Sequence, residues 1–199
     1  MSAMMEWLEE QVDESVQVHE AVRDRLSVVR EVAGAVIETF RADGRVFFFG
    51  NGGSAADAQH WAAELSGRFY RDRPSLPAIA LTTNSSAVTA IANDNGYEEV
   101  FVRQLAGQAR AGDVAVGIST SDNSANVVRA LRYGQENDLV TVGLTSESEG
   151  DMDPFCEHQI AIPSTDVARI QEGHLLCGHL LCALVERVLF GNGQMPTSP

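Results

Sequence analysis

Residues Gly44 to Gly67 read GRVFFFGNGGSAADAQHWAAELSG, and this stretch decides the fold. Val46 to Phe49 form a short β-branched and aromatic run, the composition of a strand buried on both faces. The run stops at Gly50, and Asn51, Gly52, Gly53 and Ser54 then make a turn whose small side chains let backbone N–H groups approach a ligand, with Ser54 placed to cap the next element. From Ala55 to Leu65 the Ala-rich composition predicts a helix, closed by Ser66 and Gly67. His60 and Glu64 stand four residues apart and share one face of it. That spacing suits a base and a carboxylate working together, and it equally suits a solvated ion pair.

Outward from this unit the pattern repeats. Ala78 to Leu81, Val114 to Ile118, Val140 to Leu144 and Gln159 to Ile162 read as further buried strands, each separated from the next by helical sequence. Alternating strands and helices predict an α/β fold with a five-stranded parallel sheet, helices on both faces and ligands at the carboxyl ends of the strands. A short helix to about Ala92 comes after the second strand, and Asn93-Asp94-Asn95-Gly96 is a turn signal that plain turn chemistry explains. Helical sequence resumes from Glu98 to Arg110. Residues 4 to 42 carry an apolar stripe at helical spacing, including Met5, Leu8, Val12, Val16, Val29, Val36 and Phe40, and predict two helices broken near residues 18 to 22. An apolar stripe ahead of the first strand points to contact with another subunit.

The third strand runs into Ser119-Thr120-Ser121-Asp122-Asn123-Ser124, which places four hydroxyls just ahead of a helix N-terminus. Capping needs one Ser or Thr, so four hydroxyls beside free N–H groups and a positive helix end point to phosphate, with no lysine required. The last element, from about Thr165 to Phe190, predicts a long helix that carries Gln171, His174 and His179 among its apolar residues. Arg68, Arg71 and Arg73 make a local positive patch in an otherwise acidic chain.

With 199 residues and 44% hydrophobic content, the chain fits a single domain over residues 1–190, ending in a tail, 191–199, expected to be disordered. The formal net charge of -14 argues against nucleic acid or an anionic membrane surface as partner. The acidic start MSAMMEWLEEQVDE lacks the pattern of a secretion signal, and no apolar run is expected to span a membrane, so the expected location is cytoplasmic. The 3 cysteines have no CxxC spacing and read as reduced thiols.

The segments GNGGSAADAQHWAAEL, TAIANDNGYEEVFVRQL, GDVAVGISTSDNSANVVRAL and RIQEGHLLCGHLLCALVE, in this order, resemble the sugar isomerase (SIS) domain family, and within it the phosphoheptose isomerases. The resemblance runs from about Gly44 to Glu186. It implies a flavodoxin-like sheet, a homotetramer with active sites at subunit interfaces, a bound zinc ion, and conversion of sedoheptulose 7-phosphate to glycero-manno-heptose 7-phosphate. By motif position it places metal ligands at His60, Glu64, Gln171 and His179, and proton transfer at Glu64 and His179. Ser119, Thr120, Ser121 and Ser124 match the phosphate loop. Asn51, Gly52, Gly53, Ser54, Glu64, Asn93, Asp94 and Gln171 match substrate contacts, and Arg68 matches an arginine lining the site.

Ketose-aldose interconversion asks for the same residue types. One base must serve two adjacent carbons, for which Glu64 is the candidate, and an imidazole, His179, suits proton movement between oxygens. Zinc would polarise the carbonyl, with the glutamine amide its weakest ligand. Gln171 and His179 are about 12 Å apart along a straight helix, which leads us to expect that a neighbouring subunit shares in the metal site. Asp122 replaces the glycine usual in the resembled loop, and it is expected to point to solvent while weakening phosphate binding by its charge. Two alternatives stay open: a non-catalytic SIS adaptor, which would lack the equivalents of Glu64 and His179, and an isomerase of another ketose phosphate.

Overall fold

The structure is a computed structural model that describes residues 2–148 and 150–191. The expected tail lies, from residue 192 on, outside the described residues. Five strands, β1 (Val46–Gly50), β2 (Ala78–Ala80), β3 (Val114–Ile118), β4 (Val140–Ser146) and β5 (His158–Ile162), form one sheet in the order β2-β1-β3-β4-β5. All four pairings are parallel, with Phe48 opposite Val116 and Leu144 opposite Ile160. The expected flavodoxin-like α/β architecture is therefore observed. Its switch point, where the chain leaves β1 in opposite directions, lies between β1 and β3.

Among the described residues seven helices accompany the sheet: α1 (Ser2–Ala21), α2 (Leu26–Arg41), α3 (Gly53–Ser66), α4 (Ser85–Asn95), α5 (Val102–Gln108), α6 (Ala125–Glu136) and α7 (Val167–Phe190). Alternation along β1 sorts the two cores. Val46 and Phe48 pack with α2, α3 and α7 residues such as Val36, Trp61, Leu65 and Leu181, while Phe47 and Phe49 pack on the opposite face with Phe101, Leu105, Val127 and Leu131. Every residue of β1 and β3 is buried, as a parallel sheet covered on both sides requires.

Several boundaries differ from the sequence expectation. The break between α1 and α2 is a 3-10 turn at Val22–Arg25, slightly later than residues 18 to 22. Helix α3 begins at Gly53, because Gly52 takes φ 57° and turns the chain directly into the helix; Ser54 then sits buried in the first turn and caps nothing. Helix α4 continues through Asn95 to a positive-φ Gly96, so Asn93 and Asp94 are helical. The span from Glu98 to Arg110 holds a 3-10 turn and the short α5 in place of one helix.

Helix α7, capped by Asp166 through the backbone N–H groups of Ala168 and Arg169 at 2.8 and 3.2 Å, is long and apolar enough by composition to cross a membrane, contrary to expectation. It is a core helix here: Ile170, Cys177, Leu181, Cys182 and Val185 are buried in the main cluster. All three cysteines are free, and burial pushes each thiol up to about 12, so they remain protonated.

The arginine patch is also revised. The side chains of Arg73 and Glu186 are only 1% and 2% exposed, and Arg73 Nε donates to Glu186 Oε2 at 3.1 Å. Its guanidinium further donates to the carbonyls of Glu64, Leu65, Gly67 and Pro74 at 2.6 to 3.2 Å, closing the C-terminal end of α3. The same carboxylate receives the N–H groups of Phe69 and Tyr70. Arg73 is therefore a structural clasp, and the solvent-facing positive charge of the loop is reduced by one.

Candidate active site

Helices α3 and α7 pack side by side on the same face of the sheet. Trp61 anchors α3, its ring 5.9 Å from Phe48 in an edge-on arrangement. The neighbouring position, His60, then faces α7. His60 Nε2 lies 3.0 Å from Glu64 Oε1 and 3.4 Å from His179 Nε2. The Phe69 ring stacks on His179 at 5.6 Å with an interplanar angle of 19°. The i,i+4 pair is thus part of a three-residue cluster, and the solvated ion-pair reading does not account for it.

The ligand atoms of His60, Glu64 and His179 all fall within 4.8 Å of one another. Two imidazole nitrogens and a carboxylate converging so closely need a proton or a cation between them. A tetrahedral zinc ion with bonds near 2 Å separates its ligand atoms by about 3.3 Å, and two histidines with one glutamate are an ordinary catalytic zinc set with room for a further ligand. The residues present fit that metal. Gln171, about two turns of α7 before His179, has its amide against Gly53, where an added Cβ would meet Nε2 at 2.4 Å.

Two residues near the cluster were not singled out as ligands in the sequence. Asp57, one turn before His60 on α3, has its carboxyl pushed up to about 6 by burial, with His60 acting against the rise. Phe69 is the other. Neither carries a motif signal, because its role depends on which groups pack against it.

The hydroxyl-rich loop closes the carboxyl end of β3. Ser119 Oγ lies 3.1 Å from Ser124 Oγ and 3.4 Å from Ser121 Oγ. Ser124 is the N-cap residue of α6, yet its side chain makes no capping bond. The hydroxyls gather with one another beside a helix N-terminus, which is the arrangement a phosphate uses. Thr120 is half-buried on the same loop and Ser121 is exposed.

Asp122 does not point to solvent. It is fully buried with φ 60°, and its carboxylate accepts from Ser146 N at 3.1 Å, Ser146 Oγ at 2.5 Å and Ser148 Oγ at 2.9 Å. The left-handed backbone turns the side chain beneath the loop toward the end of β4, where these donors offset the cost of its burial. Solvation was the wrong partner to expect.

The two turns are joined across the switch point. Asn51 Nδ2 donates to Asn126 Oδ1 and Asn126 Nδ2 donates to Asn51 Oδ1, each at 2.9 Å, and Tyr97 Oη donates to Asn51 Oδ1 at 3.0 Å. Asn126 is buried, and together with Tyr97 it is a site-organising residue that sequence reasoning missed, although it stands inside the STSDNSAN segment. Among the remaining candidates, Arg68, Asn93 and Asp94 are exposed; Asn93 Nδ2 donates to Asp94 Oδ1 at 2.8 Å. Ser54 is buried, away from solvent, while Gly52 and Gly53 lie exposed at the turn.

Comparison with known proteins identifies the family. Residues 11–146 match the SIS domain family. The chain is 44% identical to a phosphoheptose isomerase of Aneurinibacillus thermoaerophilus over 192 residues, covering 95% of this chain and 97% of the relative. It is 49% identical to a phosphoheptose isomerase of Rhodospirillum rubrum over 166 residues, covering 83% and 88%. The solved phosphoheptose isomerase of Neisseria gonorrhoeae superposes with a TM-score of 0.86 at 38% identity, covering 92% of this chain and 98% of that one. Similarity that spans both the His60/Glu64/His179 cluster and the hydroxyl loop leaves one assignment: the chain belongs to the phosphoheptose isomerase family of SIS-domain proteins.

Proposed function

We propose that the protein is an aldose-ketose isomerase that converts D-sedoheptulose 7-phosphate to D-glycero-D-manno-heptose 7-phosphate through an enediol. The observation that carries this reading is the convergence of His60, Glu64 and His179 in a chain that also gathers the Ser119–Ser124 hydroxyls. An adaptor would have no use for that cluster.

The phosphate is held by the hydroxyls of Ser119, Thr120, Ser121 and Ser124 and by the positive end of α6, with no cationic side chain needed. Asn51, Gly52, Gly53, Asn93, Asp94 and Gln171 hold the sugar hydroxyls, with Arg68 at the margin. Glu64 presents Oε1 to His60, which leaves Oε2 for the substrate. That oxygen takes the proton from C1 of the ketose while His179 protonates the carbonyl oxygen on C2, giving the enediol. His179 then removes the proton from the C1 oxygen as Glu64 returns its proton to C2, and the aldose results. Phe69, stacked on His179, restricts the imidazole to the orientation these transfers require.

His60, Glu64 and His179 would hold zinc, which supplies Lewis-acid polarisation of the carbonyl and stabilises the negative charge that develops on the oxygens. Gln171, whose amide lies at Gly53, or a group from a neighbouring subunit would supply the fourth ligand. The assembly is a homotetramer. Support comes from α1, where Met5, Trp7, Leu8, Val12 and Val16 are all about half exposed or more, an apolar stripe that water disfavours. Protonated cysteines and an acidic chain agree with a cytoplasmic site of action.

The direct test is incubation of purified protein with sedoheptulose 7-phosphate in D2O, with the product read by proton NMR. An aldose anomeric signal is expected, with deuterium at C2 to the extent that the proton held by Glu64 exchanges with solvent before its return. Absence of any aldose product, with zinc supplied, would overturn the reading.

A further inference from the structure

Beneath the anion loop lies a charge that the proposed reaction does not use. Asp122 sits between Ser121 and Ser124, it is fully buried, and among the described residues its carboxylate is met by hydroxyl and backbone donors, with no ion pair; the donors are Ser146 N, Ser146 Oγ and Ser148 Oγ. Its backbone carbonyl accepts from Met152 N at 3.1 Å, and the adjacent Asn123 Oδ1 accepts from Asp151 N at 3.0 Å. The segment after β4 is thus stitched to the hydroxyl loop at several points. Gly150 completes the fit, since a Cβ there would lie 2.3 Å from the Asp122 Cβ. Within the same loop, the Ser119, Ser121 and Ser124 hydroxyls converge on one another.

We infer that Asp122 is a positioning residue for substrate phosphate: its carboxylate locks the Ser119–Ser124 loop to the end of β4 and so holds the loop hydroxyls in their binding arrangement. The inference rests on the proposed isomerase reading. A non-glycine residue at φ 60° is strained, and three hydrogen bonds to a buried carboxylate offset that strain. Removing the side chain frees the backbone at the centre of the loop. The hydroxyls must then be ordered by the ligand, which costs affinity in the ground state and the transition state alike. The charge itself does not face the anion, because the Ser146 and Ser148 donors hold it toward β4.

The test compares Asp122→Gly and Asp122→Asn with wild type, measuring kcat and KM for sedoheptulose 7-phosphate and the inhibition constant of inorganic phosphate, which probes the loop alone. Asp122→Gly is expected to raise both KM and the phosphate inhibition constant about ten-fold while kcat changes less than about three-fold. Asp122→Asn keeps an acceptor oxygen for Ser146 N and is expected to stay within about three-fold of wild type in both constants. Ser148→Ala removes one donor at a less buried position, so it serves if Asp122→Gly fails to fold; a smaller rise in the same two constants is expected.

Unchanged constants in a folded Asp122→Gly enzyme, even with lowered thermal stability, would mean the residue is structural only and overturn the inference. A fall in either constant would overturn it too, because it would show the carboxylate repelling the anion. Wild-type protein that does not turn the sugar over would instead overturn the isomerase reading on which the inference stands.

Discussion

The Trp61 indole fills the space a side chain at position 178 would need: an ideal Cβ on Gly178 would lie 1.9 Å from Trp61 Cε2. Helix α7 can reach α3 only because Gly178 has no side chain, and this approach brings the next residues, His60 and His179, to 3.4 Å. The spacing of the two imidazoles is thus set by a packing contact one residue away from each. Gly178→Ala gains about 1 kcal/mol of helix propensity but forces the helices apart, for a net loss of about 2 kcal/mol. We expect a lower urea midpoint and at least roughly ten-fold weaker zinc binding in competition with a chelating dye, since the ligand spacing no longer matches one ion. Wild-type zinc affinity in this variant would show that the cluster does not depend on the contact.

Glu64→Gln separates chemistry from packing. The amide keeps the shape and the reach toward His60 but cannot take a carbon-bound proton. Turnover is expected to fall by roughly 10²–10⁴-fold or more, with an unchanged circular dichroism spectrum. Activity within a few-fold of wild type would remove Glu64 as the base.

The Arg73–Glu186 clasp offers a stability test. Arg73→Met leaves the Glu186 carboxylate buried against the Phe69 and Tyr70 N–H groups without its cation, and it strips donors from the end of α3. We expect a loss of about 3–5 kcal/mol in urea unfolding, as for other buried pairs with one partner removed. Because the same clasp places Phe69 against His179, a kcat decrease should accompany it. Stability within about 1 kcal/mol of wild type would reclassify the pair as dispensable.

A pH dependence arises from His174. It is fully buried, its Nε2 lies 2.9 Å from the Thr145 carbonyl and its Nδ1 has no partner among the described residues. Burial lowers its pKa from 6.5 to about 4, against the pull of the Thr145 carbonyl. Between those values the unfolded chain binds more protons than the folded one, so stability rises with pH across this window. The contribution is complete above pH 6.5 and is lost as pH falls toward 4, by about 3 kcal/mol in all. Asp57, raised from 3.8 to about 6, acts in the opposite sense: its contribution is present at low pH and is lost as pH rises through 6. His174→Gln isolates the histidine. The difference in unfolding free energy between wild type and this variant should shift against wild type from pH 7.5 to pH 5, and a pH-independent difference would exclude a buried neutral imidazole.

Much of this protein was legible in short stretches of its chain. Val46 to Phe49 and Val114 to Ile118 are buried on both faces, and that requirement alone selects unbroken apolar runs; the stripes of α2 and α7 come from helical periodicity in the same local way. The pairing of His60 with Glu64 needs only a helix, so four-residue spacing was enough to place it. Gly52 and the hydroxyls of Ser119 to Ser124 likewise announce a turn and a hydroxyl-rich helix entrance by chemistry carried within a few residues.

The tertiary structure alone decided the partners that come from far along the chain. His179 meets His60 across 119 positions, Glu186 meets Arg73 across 113, Asn126 meets Asn51 across 75 and Ser146 meets Asp122 across 24. Arginine and aspartate read as solvated in a sequence because isolated charges are costly to bury, and that cost is lifted only by donors and acceptors whose arrival depends on how strands and helices pack. Periodicity reports which side of an element is apolar. It carries no record of which distant side chain will stand opposite a polar one, so Arg73 turned out to be a clasp and Asp122 a buried latch, and the contact of Gln171 with Gly53 arises only in the folded chain.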